Sequence, residues 1–372
     1  MAKLFGQKSC VVVTCGLSAI ALDTSCQNKN TNLVLPEEVK PKENNEAVES
    51  STNYQIVAAD ISISGKYIVV CTSNKQLILW ESFNSFPLST RFSSRIASKV
   101  KFTPSEKAVI LADKSGDAYE FSVTSLDLEG KLLLGHLSML LDVLVTPDER
   151  FVITCDRDEK IRVSCYPNAY NIQSYCLGHK EFVTSILFWN YKSGVEVHKI
   201  DSSMDLSPYV DIKVNKDEDN NLPIVLATCC NIDSVSSIVC CCVSNIQVCF
   251  VYLISGNLKS ISHELTQTIK LDNEPWDILC FDKHLWVIGP SVNEFLHVFD
   301  WDINTCQFKN CVEENILSVV SSVNNKESLF KDVSPTCVLT LLYKRKFDNV
   351  QEYQNRKKQR LANSKSTYED LD

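Results

Sequence analysis

Cysteine is the residue type with the most obvious chemistry in this sequence, because seventeen cysteines are spread over 372 residues. They are densest at Cys229-Cys230 and Cys240-Cys241-Cys242. Clustered thiolates could bind zinc, but no Cys-x-x-Cys pair occurs and no His stands at zinc-finger spacing from these clusters. Neighbouring strand residues point to opposite faces, and cysteine packs as a small apolar side chain. The sequence therefore predicts core cysteines and no bound metal.

Motifs for catalysis and cofactor binding are absent from the sequence. It has no Gly-x-Gly-x-x-Gly before a helix, no Gly-x-Ser-x-Gly and no His-Glu-x-x-His. The net charge of −9 and the pI near 5.3 are not typical of a general nucleic-acid binder. Any contact with RNA must therefore come from a local basic patch or from a partner. The sequence favours a binding scaffold without a cofactor over an enzyme.

A repeat organises the middle of the chain. Gly135-His136 and Gly178-His179 stand 43 residues apart, and short strands with a tight turn follow the first pair. Such a period is typical of the blades of a β-propeller. In this pattern Asp156 caps the tight turn, and His136 or His179 forms hydrogen bonds within its own blade.

Short apolar and β-branched runs recur along the chain with turn residues between them, which predicts an all-β protein. The predicted strands lie near residues 55–59, 67–71, 76–80, 100–102, 108–111, 118–123, 140–145, 151–154, 161–164, 183–188, 224–228, 237–243, 248–254, 276–281, 284–288, 296–301, 317–321 and 337–343. Residues 1–25 loosely resemble a secretory signal, but two strands of a first blade are the favoured interpretation. Residues 36–53 and 204–221 are predicted to be polar loops.

The second Gly-His unit is shortened. The position at which a blade usually has Trp is Ser164 in the first unit, far beyond Gly135, whereas Trp189 follows Gly178 closely. About one pair of strands is missing near residues 186–188. Either the blade is truncated and residues 190–230 fill in, or the sequence is a shortened product of splicing or gene prediction.

The C-terminal part of the chain is its one basic stretch, and its apolar residues recur at helical spacing. The sequence predicts a propeller over residues 1–343, then a basic amphipathic helix and an acidic tail over residues 344–372. The basic residues could contact RNA phosphates without reading sequence; a nuclear localisation signal and a solvated tail are the alternatives. These residues are Lys344, Arg345, Lys346, Arg356, Lys357, Lys358 and Arg360.

Several stretches together resemble one family. They are Ala-Asp-Lys-Ser-Gly-Asp at 112–117, Gly-His-Leu-Ser-Met-Leu-Leu-Asp-Val at 135–143, Pro-Asp-Glu-Arg-Phe at 147–151, Asp-Arg-Asp-Glu-Lys-Ile-Arg-Val-Ser at 156–164, Leu-Gly-His-Lys-Glu-Phe-Val at 177–183, Trp-Asp at 276–277 and residues 342–350. The family is that of the WD-repeat non-catalytic subunits of the eukaryotic tRNA (guanine-N7) methyltransferase. The resemblance is specific over roughly residues 95–190.

The resemblance implies a seven-bladed propeller that holds and stabilises a separate methyltransferase, which uses S-adenosylmethionine to methylate a guanosine in tRNA. The protein would then lie in the nucleus, bind its catalytic partner as a heterodimer and carry no catalytic residue. One rival hypothesis is a general interaction propeller, such as a substrate receptor of a ubiquitin ligase. The other is an enzyme on a propeller scaffold, with acid and base groups around the central channel.

Propeller geometry places several charged residues of adjacent blades on one face. Lys114 lies in the turn of one blade and Asp158 and Glu159 lie in the turn of the next, while Glu181 follows the second Gly-His pair. Arg162 could form a fork with Asp158 or Glu159 and hold the turn rigid. We expect these five residues to bind the partner through complementary charge.

Overall fold

The computed structural model describes residues 2–26, 30–36, 54–179, 182–186, 224–233, 235–257, 260–291, 294–330 and 333. These residues form six four-stranded antiparallel sheets, each a meander in which consecutive strands pair. The sheets are the blades of a WD-repeat β-propeller, so the predicted all-β class and architecture are confirmed. None of the helices within the described ranges has the length and apolar character that crossing a bilayer requires.

The first three blades occupy the N-terminal part of the chain. Blade 1 consists of β1 (Ala2–Gln7), β2 (Cys10–Cys15), β3 (Ser18–Asp23) and β4 (Asn30–Leu33). Blade 2 consists of β5 (Ile56–Ile61), β6 (Tyr67–Thr72), β7 (Gln76–Glu81) and β8 (Ser89–Phe92). Blade 3 consists of β9 (Ala97–Phe102), β10 (Ala108–Asp113), β11 (Asp117–Ser122) and β12 (Lys131–Gly135). The N-terminal residues thus form strands of a first blade, as predicted.

The other three blades follow, and a long stretch of chain separates blade 4 from blade 5. Blade 4 consists of β13 (Leu140–Val145), β14 (Phe151–Asp156), β15 (Ile161–Cys165) and β16 (Ile172–Cys176). Blade 5 consists of β17 (Ile224–Asn231), β18 (Ser236–Val243), β19 (Val248–Asn257) and β20 (Ser260–Lys270). Blade 6 consists of β21 (Asp277–Phe281), β22 (His284–Ile288), β23 (Leu296–Asp302) and β24 (Gln307–Asn310). A helix, α1 (Glu314–Asn324), and a short 3-10 helix (Glu327–Leu329) follow.

Two expectations differ from the described structure. The described residues form six blades, not seven, because residues 182–186 of the shortened unit form no strand and residues 187–223 lie outside the described ranges. Residues 317–321 were expected to form a strand but lie in α1. There Ile316, Val319 and Val323 recur at helical spacing and form the buried face. The basic helix predicted after residue 343 and most of both polar loops also lie outside the described residues.

The core lies between blades, and this position explains the composition of the second strands. All six residues of β2 and all six of β10 are buried, because each strand is covered on both faces by a neighbouring blade. The dense cysteines have the same role. Cys240, Cys242 and Cys249 are buried with Trp301 between blades 5 and 6, which confirms the prediction of core cysteines.

Hydrogen bonds to side chains of the innermost strands connect neighbouring blades. The strand β5 packs against β9 and β21 packs against β1, so the last described blade lies beside the first. In blade 2, Asp60 accepts a hydrogen bond at 2.8 Å from the backbone N–H of Phe102 in blade 3. In blade 6, Asp277 accepts one at 2.8 Å from Leu4 in blade 1. These carboxylates fix neighbouring blades in register, because each binds a backbone group that a sheet alone leaves unpaired.

Candidate partner-binding site

The antiparallel meander decides which turns share a face of the propeller. In every blade the turn between the second and third strands lies at the same edge as the loop that leads into the next blade. Lys114 is in the turn between β10 and β11, and Asp158 and Glu159 are in the turn between β14 and β15. The structure therefore places these three charged residues on one face, in the neighbouring blades 3 and 4.

A loop between these two blades joins the two turns. The backbone N–H of His136 donates to the carbonyl of Gly116 at 2.8 Å, and that of Arg157 donates to the carbonyl of Met139 at 3.0 Å. Gly116 has a φ of 107°, and a Cβ atom there would lie 2.6 Å from the carbonyl oxygens of both His136 and Ser138. Glycine is therefore required for the loop to approach this closely.

Two buried aspartates hold the turns in shape. Asp113 Oδ1 accepts hydrogen bonds from the backbone N–H groups of Ser115 at 2.8 Å and Gly116 at 3.0 Å. Asp156 Oδ1 accepts them from Asp158 at 2.9 Å and from Lys160 at 3.2 Å. The prediction that Asp156 caps its turn is confirmed. Because the caps fix the backbone, the charged residues stand on a rigid frame, with Lys114 exposed and Asp158 and Glu159 half-buried.

His136 braces the same turn from inside blade 4. Its Nδ1 lies 3.0 Å from Asp156 Oδ2 and its Nε2 lies 2.8 Å from Thr154 Oγ1. Burial lowers the pKa of His136 below its ordinary value, although Asp156 opposes this shift. Hydrogen bonding within its own blade is thus confirmed for His136, and both ring nitrogens are committed to the blade. His179 is exposed at the edge of the described residues.

Arg162 does not form the expected fork with a carboxylate of the turn. Its Nε donates to Ser164 Oγ at 2.8 Å, its Nη1 to the carbonyl of Gly135 at 3.0 Å and its Nη2 to that of Ala169 at 2.9 Å. The residue is only 7% exposed. The sequence argument failed here because the two carbonyls, at the end of β12 and in the loop after β15, come together only in the fold. Arg162 thus braces blade 4 internally and bonds it to the end of blade 3.

Two exposed leucines complete the surface around the charged turns. Leu137 lies fully exposed in the loop between blades 3 and 4, and Leu177 is 66% exposed just after β16. We call the surface formed by Lys114, Leu137, Asp158, Glu159 and Leu177 the turn face. Sequence reasoning missed both leucines, although each lies beside a Gly-His pair. Glu181, also expected at this surface, lies outside the described residues.

Comparison with known proteins adds two kinds of similarity in sequence. Residues 122–197 match the profile of the family described as tRNA methyltransferase TRM82 WD40 domain. The chain is also 33% identical over 342 residues to a Xenopus laevis protein, with 86% of this chain and 83% of the relative covered. That relative is the tRNA (guanine-N(7)-)-methyltransferase non-catalytic subunit wdr4.

The chain belongs to this family of WD-repeat non-catalytic subunits. Two further members agree, and both are non-catalytic subunits of the same enzyme. The Danio rerio protein is 32% identical over 363 residues and covers 87% of this chain and 83% of the relative. The Homo sapiens protein is 32% identical over 320 residues and covers 80% of this chain and 75% of the relative.

Solved structures at low sequence identity share the fold of this family member. A chain of a mitotic checkpoint complex superposes with a TM-score of 0.59 at 10% identity and covers 77% of this chain and 85% of that chain. The β-propeller domain of Cps50 (Swd1) from Myceliophteria thermophila superposes with a TM-score of 0.53 at 11% identity, covering 76% and 90%. These likenesses show the propeller fold alone.

Proposed function

We propose that this chain is the non-catalytic scaffold that binds and stabilises a catalytic tRNA (guanine-N7) methyltransferase. The relatives are named as the non-catalytic subunits of such an enzyme, which implies a separate catalytic partner. One structural observation carries the proposal for this chain. The loop 136–139 bonds to the turns of both neighbouring blades, which brings Leu137 to the same face as the charged turns.

The turn face combines the two properties that a specific protein interface needs. The exposed side chains of Leu137 and Leu177 are available for burial, which contributes about 25 cal/mol for each Å² of apolar surface removed from water. Asp158 and Glu159 lie on the same face and would steer a basic patch of the partner into register. We propose Lys114, Asp158, Glu159 and Glu181 as partner contacts. Arg162 supports them indirectly, because it bonds blade 4 to its own loop and to the end of blade 3.

A seventh blade position is also part of the proposal. Ile186 donates its backbone N–H to Asp142 Oδ2 of blade 4 at 2.8 Å. This contact matches the one by which Asp60 binds Phe102 and Asp277 binds Leu4 in neighbouring innermost strands. We propose that residues 182–186 stand at the innermost position of a seventh blade.

The basic C-terminal stretch carries the remaining proposals. We propose that its lysines and arginines contact the phosphates of tRNA in the complex, since the rest of the chain is acidic. The same stretch has the composition of a nuclear import signal, and we propose a nuclear location. The residues concerned are Lys344, Arg345, Lys346, Arg356, Lys357, Lys358 and Arg360.

A reconstituted methylation assay tests the scaffold function. The catalytic subunit is assayed for N7-methylguanosine formation in tRNA alone, with the parent chain, and with an Asp158→Lys/Glu159→Lys variant. We expect the parent chain to raise methylation and the variant to lose that effect. The matched control is Asp127→Lys/Glu129→Lys, which reverses two exposed charges in the loop between β11 and β12, at the opposite face.

Two results would contradict the proposal, the first its function and the second its interface. One is methylation that a folded parent chain leaves unchanged; the general interaction scaffold would then be the better hypothesis. The other is equal stimulation by the parent chain and by the Asp158→Lys/Glu159→Lys variant, which would move the interface away from the turn face.

A further inference from the structure

Four side chains with metal-binding groups meet where blade 6 leads into α1. His284 begins β22 and pairs directly with Asp300 in β23. Cys311 follows β24, and its backbone N–H donates to the carbonyl of Val298 at 3.1 Å. Asp300 pairs with Lys309, so Cys311, two residues further on, lies on the same side of the sheet as Asp300. Glu313 immediately precedes α1.

The distances among these groups suit a tetrahedral ion. His284 Nε2 lies 3.3 Å from Asp300 Oδ1 and 3.6 Å from Glu313 Oε1. The ligand atoms of His284, Asp300 and Cys311 all lie within 4.8 Å of one another. Tetrahedral zinc with ordinary bond lengths separates its N, O and S ligands by about 3.3–3.8 Å. Two separations are already in this range, and a small side-chain rotation brings in the thiol.

Each of the two carboxylates keeps one oxygen that lies near His284 Nε2. Asp300 Oδ2 accepts the backbone N–H of Val312 at 3.2 Å. Asp300 Oδ1 is shielded from solvent, and the polar side chains next to this carboxylate are His284, with Nε2 at 3.3 Å, and the Cys311 thiol. Glu313 stands at the position that caps α1, but its side chain makes no capping hydrogen bond. One oxygen of each carboxylate is therefore available toward His284.

We propose that His284 Nε2, Asp300 Oδ1, Cys311 Sγ and the Glu313 carboxylate form a zinc site. Thiolate and imidazole ligands favour Zn²⁺ over Mg²⁺ and Ca²⁺, which prefer oxygen ligands alone. The Cys311 thiol gives its proton to solvent when the zinc–sulfur bond forms. Four protein ligands leave no open position, so the ion has a structural role.

The site would connect blade 6 to α1, the helix that packs against both the first and the last described blade. Two ligands belong to β22 and β23, and the other two to residues on either side of Val312, just before α1. Ile316, Val319 and Val323 of α1 are buried in the same cluster as Val11 and Trp286, that is, against blades 1 and 6. A zinc ion here would hold the start of α1 in place over the contact between the last blade and the first.

Cobalt and zinc binding to the full chain tests this proposal. The purified protein is stripped with a chelator and titrated with Co²⁺, and then with Zn²⁺. We expect one ion per chain, the visible bands of tetrahedral cobalt and a thiolate-to-cobalt charge-transfer band. Zinc should displace cobalt and raise Tm. The charge-transfer band should be lost in Cys311→Ser and tetrahedral binding should be lost in His284→Gln.

Matched variants of the same blade serve as controls. Cys306→Ser and His297→Gln change a cysteine and a histidine of blade 6 that lie outside the proposed site, and both should bind cobalt as the parent chain does. Absence of the thiolate band in the folded parent chain would overturn the proposal, as would a band that survives Cys311→Ser. If that variant fails to fold, the stoichiometry and spectrum of the parent chain still decide the matter.

Discussion

Replacing Arg162 by methionine tests whether this residue stabilises the fold or binds the partner. The guanidinium donates three hydrogen bonds: two within blade 4, to Ser164 Oγ and the carbonyl of Ala169, and one to the carbonyl of Gly135 at the end of blade 3. Methionine keeps the unbranched stem but leaves these buried acceptors unpaired. Each loss costs about 1–3 kcal/mol, so we expect the free energy of unfolding to fall by roughly 3–5 kcal/mol.

Thermal unfolding measures this loss. At about 2.1 cal/mol/K for each residue, a propeller of this size has an unfolding entropy near 0.6 kcal/mol/K, so Tm should fall by roughly 5–8 °C. Arg150→Met is the matched control: Arg150 is exposed and stacks on Phe151 at 5.5 Å, a contact worth about 1 kcal/mol at most. An Arg162→Met variant with unchanged Tm but lost partner binding would refute the reasoning and restore Arg162 as a contact residue.

Three further predictions concern buried polar groups. Burial raises the pKa of Asp277 to about 6, so the stability that its protonated carboxyl contributes below pH 4 is lost as pH rises through 6. In denaturant unfolding, the free energy of unfolding of the parent chain should fall by about 2–3 kcal/mol from pH 4 to pH 6 through this group, and Asp277→Asn should abolish that fall. The lowered pKa of His136 predicts the opposite pH dependence, so that the free energy of unfolding falls as pH drops below 6.5. His136→Gln should reduce that fall. Asp142→Ala removes the acceptor of Ile186 and the ion pair with Lys99 at 3.6 Å, so hydrogen exchange at Ile186 should rise to that of an exposed amide; unchanged protection would show that this contact does not hold the segment.

The sequence predicted the inner strands well and the outer strands poorly, for a physical reason. Strands such as β6 and β10 lie between blades, and their β-branched and apolar residues form unmistakable runs. The outermost strands β8, β12 and β16 were missed. They have four or five residues each and are largely exposed, and β8 and β16 mix polar with apolar residues, so these strands leave little pattern in the sequence.

The candidate site was predictable as a set of turns but not as a surface. The spacing of the Gly-His pair located the turns of Lys114 and Asp158. The contacts of loop 136–139 with both turns depend on the packing of blades 3 and 4, which no local pattern encodes. Arg162 shows the same limit, because its position next to a charged turn suggested a role at the surface. Side chains alternate between the two faces along β15, and this alternation directs the side chain of Arg162 inward, toward the carbonyls of Gly135 and Ala169.

The most direct test of the central claim is the affinity of this chain for a purified catalytic tRNA (guanine-N7) methyltransferase, measured by calorimetry at low and high salt. We predict that the parent chain binds and that Asp158→Lys/Glu159→Lys weakens binding by about tenfold or more, mostly at low salt. Asp127→Lys/Glu129→Lys should bind as the parent does. Equal affinity of both variants and the parent, or no binding by the folded parent chain, would contradict the account.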